Sequence, residues 1–308
     1  MKIYQFIERY FWVFLLAGLL IGIWYPIYND ILMSLLKPIL MIMLFFVFLK
    51  TNPVNIIENI KDVKLMIYIV IIYMFIIPVL FFLSVNLFNP KLAVGILLLT
   101  SMPAGVASPT LTDIVKGNIA LSMSIVIITS LIAPFTVPLL FGLIKFNNLS
   151  INPVAIFKDL AIMVFLPMIF SQIIKKYFPI TIIRRQHLFT SINIILLFFM
   201  VYAIMGSQRD LIISDSINII LQIVFLYLIF ILLHVIGYLI GYKQNKENKV
   251  AIAIGAAYMN NGMAIVLAAS YFEPSILVLM VLSEIPWNTL LGPFRRIIQY
   301  FEGRSLFE

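Results

Sequence analysis

The sequence predicts an all-α membrane protein of ten transmembrane helices, arranged as two inverted halves of five. Three observations predict it: an apolar composition, a succession of long apolar runs, and two polar interruptions at matching places in the halves. Of 308 residues, 63% are hydrophobic and 11% charged, whereas a soluble domain is nearer a half apolar and a quarter charged. Pro and Gly inside the runs, with no alternation of period two, favour helices over an outer-membrane barrel. The absence of cysteine removes disulfides, thiolate metal sites and thiol nucleophiles together.

Crossing about 30 Å of hydrocarbon takes roughly 20 residues, and about ten runs are long enough. The first, 10–28, follows a mildly basic start and has no small-x-small cleavage pattern before Tyr25-Pro26, so it reads as a retained helix. Runs 31–49, 65–88, 91–114 and 118–143 complete a first repeat, 1–146, and runs 152–174, 188–206, 215–241, 249–271 and 275–297 a second, 147–308. Lys37 in the second run and Lys158 and Asp159 in the sixth interrupt otherwise apolar stretches; Lys37 is placed to snorkel or to pair. Trp12, Trp24, Tyr25 and Tyr28 near run ends read as interfacial anchors. Gly18-x-x-x-Gly22 and Gly237-x-x-x-Gly241 read as close helix contacts.

The basic residues test this map, because cytoplasmic loops collect Lys and Arg. With the amino terminus inside, the cytoplasmic side carries Lys2, Arg9, Lys50, Lys61, Lys64, Lys116, Lys175, Lys176, Arg184, Arg185, Lys243, Lys246, Lys249, Arg295, Arg296 and Arg304. The opposite side keeps Lys91, Lys145 and Arg209. Both termini are therefore expected in the cytoplasm, with the chain a multi-pass protein of the cell (cytoplasmic) membrane. The net charge of +8 reports orientation in the lipid bilayer, and no basic, aromatic-interleaved stripe suggests a nucleic acid.

An odd number of spans per half makes the second half run in the opposite sense. The interruptions, Met102-Pro-Ala-Gly-Val-Ala-Ser-Pro109 and Ala257-Tyr-Met-Asn-Asn-Gly-Met-Ala264, fall in the fourth span of each half. A helix broken in hydrocarbon must pass its freed backbone groups to protein or a wet cavity, and paired breaks in inverted halves point to a midplane site. A half-helix starting after such a break offers N–H groups to an anion, and the preceding half-helix offers carbonyls to a cation. Pro103, Ala104, Gly105, Val106, Ser108, Asn260, Asn261 and Gly262 form the expected substrate site, joined by Asn288 of the tenth span. Ser108, Thr110 and Thr112 add hydroxyls. Asn260-Asn261 is costly at membrane depth unless it binds a ligand or glues helices together.

The runs Pro103–Ser122 and Tyr258–Ala264 resemble signatures of the bile acid:sodium symporter family, the second similar to its Met-Gln-Asn-Ser-Gly-Leu-Ala segment. The resemblance spans essentially the whole chain. It implies a panel domain (approximately 10–49 and 152–206), a core domain (approximately 65–143 and 215–297), crossing fourth and ninth helices, and alternating-access carriage of an organic anion, either a bile-acid-like amphipath or a small carboxylate. In that family sodium drives the cycle. Of its sodium ligands Ser108 and Ser122 remain here, while Pro109, Val126, Gly255, Met259 and Tyr73 stand where the others would be. Sodium coupling is therefore expected to be reduced, altered or absent, and a proton-coupled carrier, an uncoupled carrier and a channel-like facilitator stay as alternatives.

The expected ion site comprises Ser108, Thr112, Ser122, Asn260 and Glu284, with a sodium ion or a proton as the coupling species and no cofactor. Glu284 lies well inside the tenth span, where a carboxylate is a functional group by default unless Trp287 or a neighbouring helix holds it. Asp113, beside Lys116 and Gly117, reads as a solvated charge, and His234, without a second ligand at i+3 or i+4, as structural. No HExxH, nucleophile–base pair or pair of facing acids supports an enzyme, and the loops are too short for a receptor domain. A monomer or weak homodimer is expected.

Overall fold

The structure is a computed structural model and describes residues 3–51, 62–144 and 152–301. Lys2, Lys61, Lys145, Arg304 and the junction at 147 lie outside the described residues, as do the side chains of Arg9 and Trp12. Within them every predicted run is helical, and the only β pairing is one isolated bridge.

The helices are α1 (Ile3–Arg9), α2 (Phe11–Trp24), α3 (Asn29–Ser34), α4 (Leu36–Lys50), α5 (Val63–Ile71), α6 (Ile77–Asn86), α7 (Pro90–Thr100), α8 (Ser108–Ile114), α9 (Ile119–Leu143) and α10 (Pro153–Tyr177). They continue with α11 (Pro179–Arg185), α12 (Phe189–Ser207), α13 (Arg209–Ser214), α14 (Ser216–Ile240), α15 (Lys246–Ala257), α16 (Asn261–Tyr271), α17 (Pro274–Leu282), α18 (Glu284–Thr289) and α19 (Leu291–Phe301). Asparagine and proline set several starts. Asn89 and Asn152 each cap an N-terminus whose first helical residue is Pro90 or Pro153, and Asp62 and Asn245 cap α5 and α15. Pro78 has no N–H for the Met74 carbonyl, and the chain widens into a π turn over Ile72–Ile76 between α5 and α6.

Among the described residues, six helices or joined helices are long and apolar enough to cross a membrane: Val63–Asn86, Ile119–Leu143, Pro153–Tyr177, Pro179–Ser207, Ser216–Ile240 and Pro274–Tyr300. Of the remaining four runs, three are interrupted, at Leu35, between Thr100 and Ser108, and between Ala257 and Asn261, and the first ends at Trp24, ahead of Tyr25-Pro26. Bare apolar faces confirm the solvent. Along α14, Ile217, Ile220, Leu221, Val224, Leu228, Val235 and Leu239 are all half or more exposed, an apolar stripe that fits lipid and would be a liability in water.

The chain divides into two compact units. One comprises Met1–Asn55, Pro134–Ser216 and Gly262–Val281. In it Gly18 and Gly22 bring α2 against the backbone of α12, where an added Cβ would stand 3.0 Å from the Phe198 carbonyl and 2.6 Å from that of Tyr202. The Tyr202 hydroxyl donates to the Tyr25 carbonyl at 2.7 Å and accepts the Ile27 N–H at 2.8 Å, stitching the turn after α2. Lys37 pairs with Asp159 at 2.5 Å between α4 and α10, and the Tyr271 hydroxyl donates to the other Asp159 oxygen at 2.8 Å.

The second unit comprises Ile56–Ala133, Ile217–Asn261 and Leu282–Glu308. Its interior holds α7 from Ala93 to Thr100 and α15 from Val250 to Ala257, both buried on every side, as befits a helix at the centre of a bundle. Gly237 lets α14 close on α15, with an added Cβ 2.7 Å from the Ala253 Cα.

Candidate functional site

Both helix breaks lie in the second unit, and each receives the backbone groups the other frees. Pro103 cannot donate a helical hydrogen bond and disfavours helix at Met102, so α7 ends at Thr100. The Gly105 N–H then donates to the Tyr258 carbonyl at 2.6 Å, and the Asn260 N–H donates to the Pro103 carbonyl at 2.8 Å. Ala104 and Met259 thereby form an antiparallel bridge at the point where the breaks cross. The Ala104 N–H goes to the Thr129 hydroxyl of α9 at 3.1 Å, and the Met259 carbonyl accepts the Trp287 indole N–H at 3.2 Å. The backbone groups freed by each break are thus taken up by the other break or by α9 and α18, as burial away from water demands.

Gly105 is required by space. A Cβ there would lie 2.8 Å from both the Tyr258 and the Met259 carbonyl oxygens. Gly117 serves the same purpose after α8. The left-handed residue in that turn is Lys116, with φ of 63°, while a Cβ on Gly117 would meet Thr112 and Val250 at 2.7 Å.

Of the expected substrate residues, Pro103, Ala104, Gly105, Ser108, Asn260 and Asn261 are buried around this crossing, with Val106 half-buried at its edge. The Ser108 hydroxyl donates to the Tyr258 carbonyl at 3.2 Å, tying the start of α8 to the opposite break. Gly262 is half-buried in the first turn of α16. Asn288 is engaged elsewhere: its amide donates to the Glu284 backbone carbonyl at 2.7 Å and to Oε2 of the same residue at 3.1 Å.

The expected ion residues fall into two groups. Thr112 and Ser122, both buried, share a hydrogen bond of 3.1 Å between α8 and α9, one turn along α8 from Ser108. Glu284, 3% exposed, belongs to a different cluster. Its carboxylate accepts from Asn288 and from the Asn261 side chain, whose Nδ2 also donates to the Ser283 hydroxyl at 2.9 Å. Among the described residues no hydrogen bond joins Glu284 to Ser108, Thr112 or Ser122. Trp287, offered by the sequence as a partner for Glu284, turns instead to the Met259 carbonyl. Thr110 and Asp113 are exposed.

Where the resemblance puts a glutamine and a glutamate, the chain has Tyr73 and Gly255, and the two pack together. The Tyr73 hydroxyl donates to the Ile252 carbonyl. Its ring carbon stands 3.3 Å and the Ile125 methyl 3.1 Å from where a Gly255 Cβ would be, so the methyl and the ring together crowd a side chain at 255. Val126 is buried and apolar. His234 is buried, its Nδ1–H directed to the Phe230 carbonyl at 2.7 Å and its ring against Tyr258 and Phe294. Among the described residues no group of three His, Cys, Asp or Glu could hold a metal ion.

Sequence reasoning missed Thr129 and Ser283. Both are hydroxyls in apolar helices, where a return bond to the preceding turn is the commoner role. Thr129 does make that bond, to the Ile125 carbonyl at 2.7 Å, and nothing local in its sequence marks the second one to Ala104.

Comparison with known proteins follows the same direction. A family model described as the SBF-like CPA transporter family (DUF4137) matches residues 9–289. The chain is also 27% identical over 208 residues to the "Uncharacterized sodium-dependent transporter YocS" of Bacillus subtilis (strain 168), covering 66% of this chain and 62% of that protein. The two matches point to transport rather than catalysis and agree with the resemblance to bile acid:sodium symporters. The chain belongs to the SBF-like CPA transporter family.

Proposed function

We propose that this protein is a secondary carrier of an organic anion, with the crossing of the two helix breaks as its substrate site. The observation that carries the reading is the antiparallel bridge at Ala104 and Met259: broken backbone at membrane depth is tolerated where it lines a site, and here two breaks meet at one point. The first turn of α16 and the side-chain amide of Asn260 provide donors for a carboxylate. Ten spans in a 5+5 inverted repeat, panel and core domains moving against each other, and both termini in the cytoplasm complete the proposal. The substrate is a bile-acid-like amphipath or a small carboxylate.

Coupling does not run through the positions the resemblance marks. Tyr73 and Ile125 crowd Gly255, and Pro109 and Val126 carry no oxygen side chain, whereas sodium needs several oxygen ligands. Sodium coupling is altered in this chain, and a proton-coupled carrier is the second reading, supported by the buried carboxyl of Glu284.

Reconstitution tests the proposal. Proteoliposomes should concentrate a radiolabelled carboxylate or bile salt under an imposed ion gradient, and Asn260→Leu should abolish that uptake, because the amide is lost while the Asn260 N–H to Pro103 bond is kept. Simple equilibration of the solute would identify a channel, and unchanged uptake by Asn260→Leu would remove the crossing as the site.

A further inference from the structure

We infer that Glu284, Asn261 and Ser283 form a sodium site of this carrier, displaced from the α8–α9 hydroxyls to the first residue of α16 and the start of α18. The inference rests on the carrier reading above and assigns its driving ion a place.

Three observations lead to it. First, Glu284 is 3% exposed within the apolar stretch Pro274–Tyr300, and among the described residues no Lys, Arg or His nitrogen lies within 4.0 Å of it. Its two amide donors, from Asn288 and Asn261, are neutral. They solvate the carboxylate and leave its charge in place, and a buried charge without a counter-charge is the costliest polar arrangement an interior can hold. Second, the Asn261 Oδ1 is buried without a hydrogen-bond partner in a side chain 3% exposed. Turning that amide by half a rotation exchanges its nitrogen for its oxygen. Oδ1 then faces Ser283 and Glu284, and a set of donors becomes a set of acceptors. Third, the Ser283 hydroxyl, fully buried, already lies 2.9 Å from the Asn261 amide. A carboxylate, an amide oxygen and a hydroxyl converging in one dry place are the hard oxygen ligands that a small cation prefers.

The location gives the site a use. Asn261 opens α16 and adjoins Asn260, whose backbone is held by Pro103 across the break. A cation that turns the Asn261 side chain acts one residue from the substrate crossing. The hydroxyl pair Thr112–Ser122 satisfies itself and has no carboxylate to neutralise an ion.

Sodium binding by the purified full-length protein tests this independently of transport. Thermal stability and ²²Na binding are measured at constant ionic strength and fixed pH, exchanging sodium for potassium or choline, and repeated at several pH values. Wild type should be stabilised saturably by sodium, with affinity at least tenfold weaker in Glu284→Gln and in Asn261→Leu. Asp113→Asn, at an exposed carboxylate, should respond as wild type. If Glu284→Gln does not fold, Glu284→Asp and Ser283→Ala should both weaken the sodium response. An absent sodium response in wild type, an undiminished one in the Glu284 variants, one lost in Ser122→Ala yet kept in Glu284→Gln, or a stabilisation that follows pH alone would each overturn the inference. Sodium binding in a protein that moves no solute would keep this site and refute the carrier reading instead.

Discussion

Replacing Gly105 with alanine adds one methyl group at the point where the two breaks touch. That carbon would stand 2.8 Å from two carbonyl oxygens, whereas ordinary contact begins at 3.4 Å, so the loops must part by about 0.6 Å. The bonds spanning the gap, now 2.6 and 2.8 Å, would stretch to about 3.2 and 3.4 Å, at or beyond the usual limit for N–H···O bonds. Overpacking costs about 1–3 kcal/mol, and a buried donor or acceptor left unpaired about 1–3 kcal/mol more. Gly105→Ala should therefore lose about 2–6 kcal/mol, read as a melting temperature lower by several degrees in detergent. Hydrogen exchange at the Gly105 and Asn260 amides should accelerate while the amides of α10 keep their protection. An alanine variant that melts with wild type and protects both amides would refute the claim that these loops are held in contact by backbone bonds.

Thr129→Val keeps the shape and removes the acceptor for the Ala104 N–H; a loss of about 1–3 kcal/mol is expected in an unfolding titration, with Thr129→Ser close to wild type. Lys37→Leu or Asp159→Leu alone should lower expression and stability more than the double variant, since each single change removes its partner's counter-charge, even though Asp159 keeps the Tyr271 hydroxyl; a double-mutant cycle that finds the effects additive would argue against the pair. Gly255→Glu should destabilise by crowding Tyr73 and Ile125, and the further change Tyr73→Gln should relieve it. If the double variant melts no higher than Gly255→Glu, the packing of ring against glycine is not what keeps position 255 bare.

The helical class and the places of the breaks were legible because hydrocarbon is an unforgiving solvent. A Pro-x-Gly or an Asn-Asn inside an apolar run has few explanations at that depth, and both breaks fall within the runs that announced them. Helix continuity was less legible. The π turn before Pro78 and the break at Leu35 depend on how single residues trade hydrogen bonds with their neighbours, and an apolar run looks the same with or without them. The site divided similarly. Residues whose chemistry is out of place in lipid, Asn260, Asn261 and Glu284, stood out, while Thr129 and Ser283 act through partners more than 20 residues away. Trp287 shows the converse, because its proximity in sequence to Glu284 suggested a bond that the fold directs to Met259.

The bridge between Ala104 and Met259 is made of main-chain atoms, and this has a bearing on evolution. The two main-chain bonds between the breaks use an N–H of Gly105 and of Asn260 and a carbonyl of Tyr258 and of Pro103, groups that a change of side chain at Tyr258 or Asn260 leaves in place unless proline replaces Asn260, while Ser108, Thr129 and Trp287 add side-chain ties around them. Descendants of this chain could therefore replace the side chains that choose a cargo without first rebuilding the frame that presents them. Divergence in this lineage should be richest at Val106, Asn260 and Met259, around a glycine that stays.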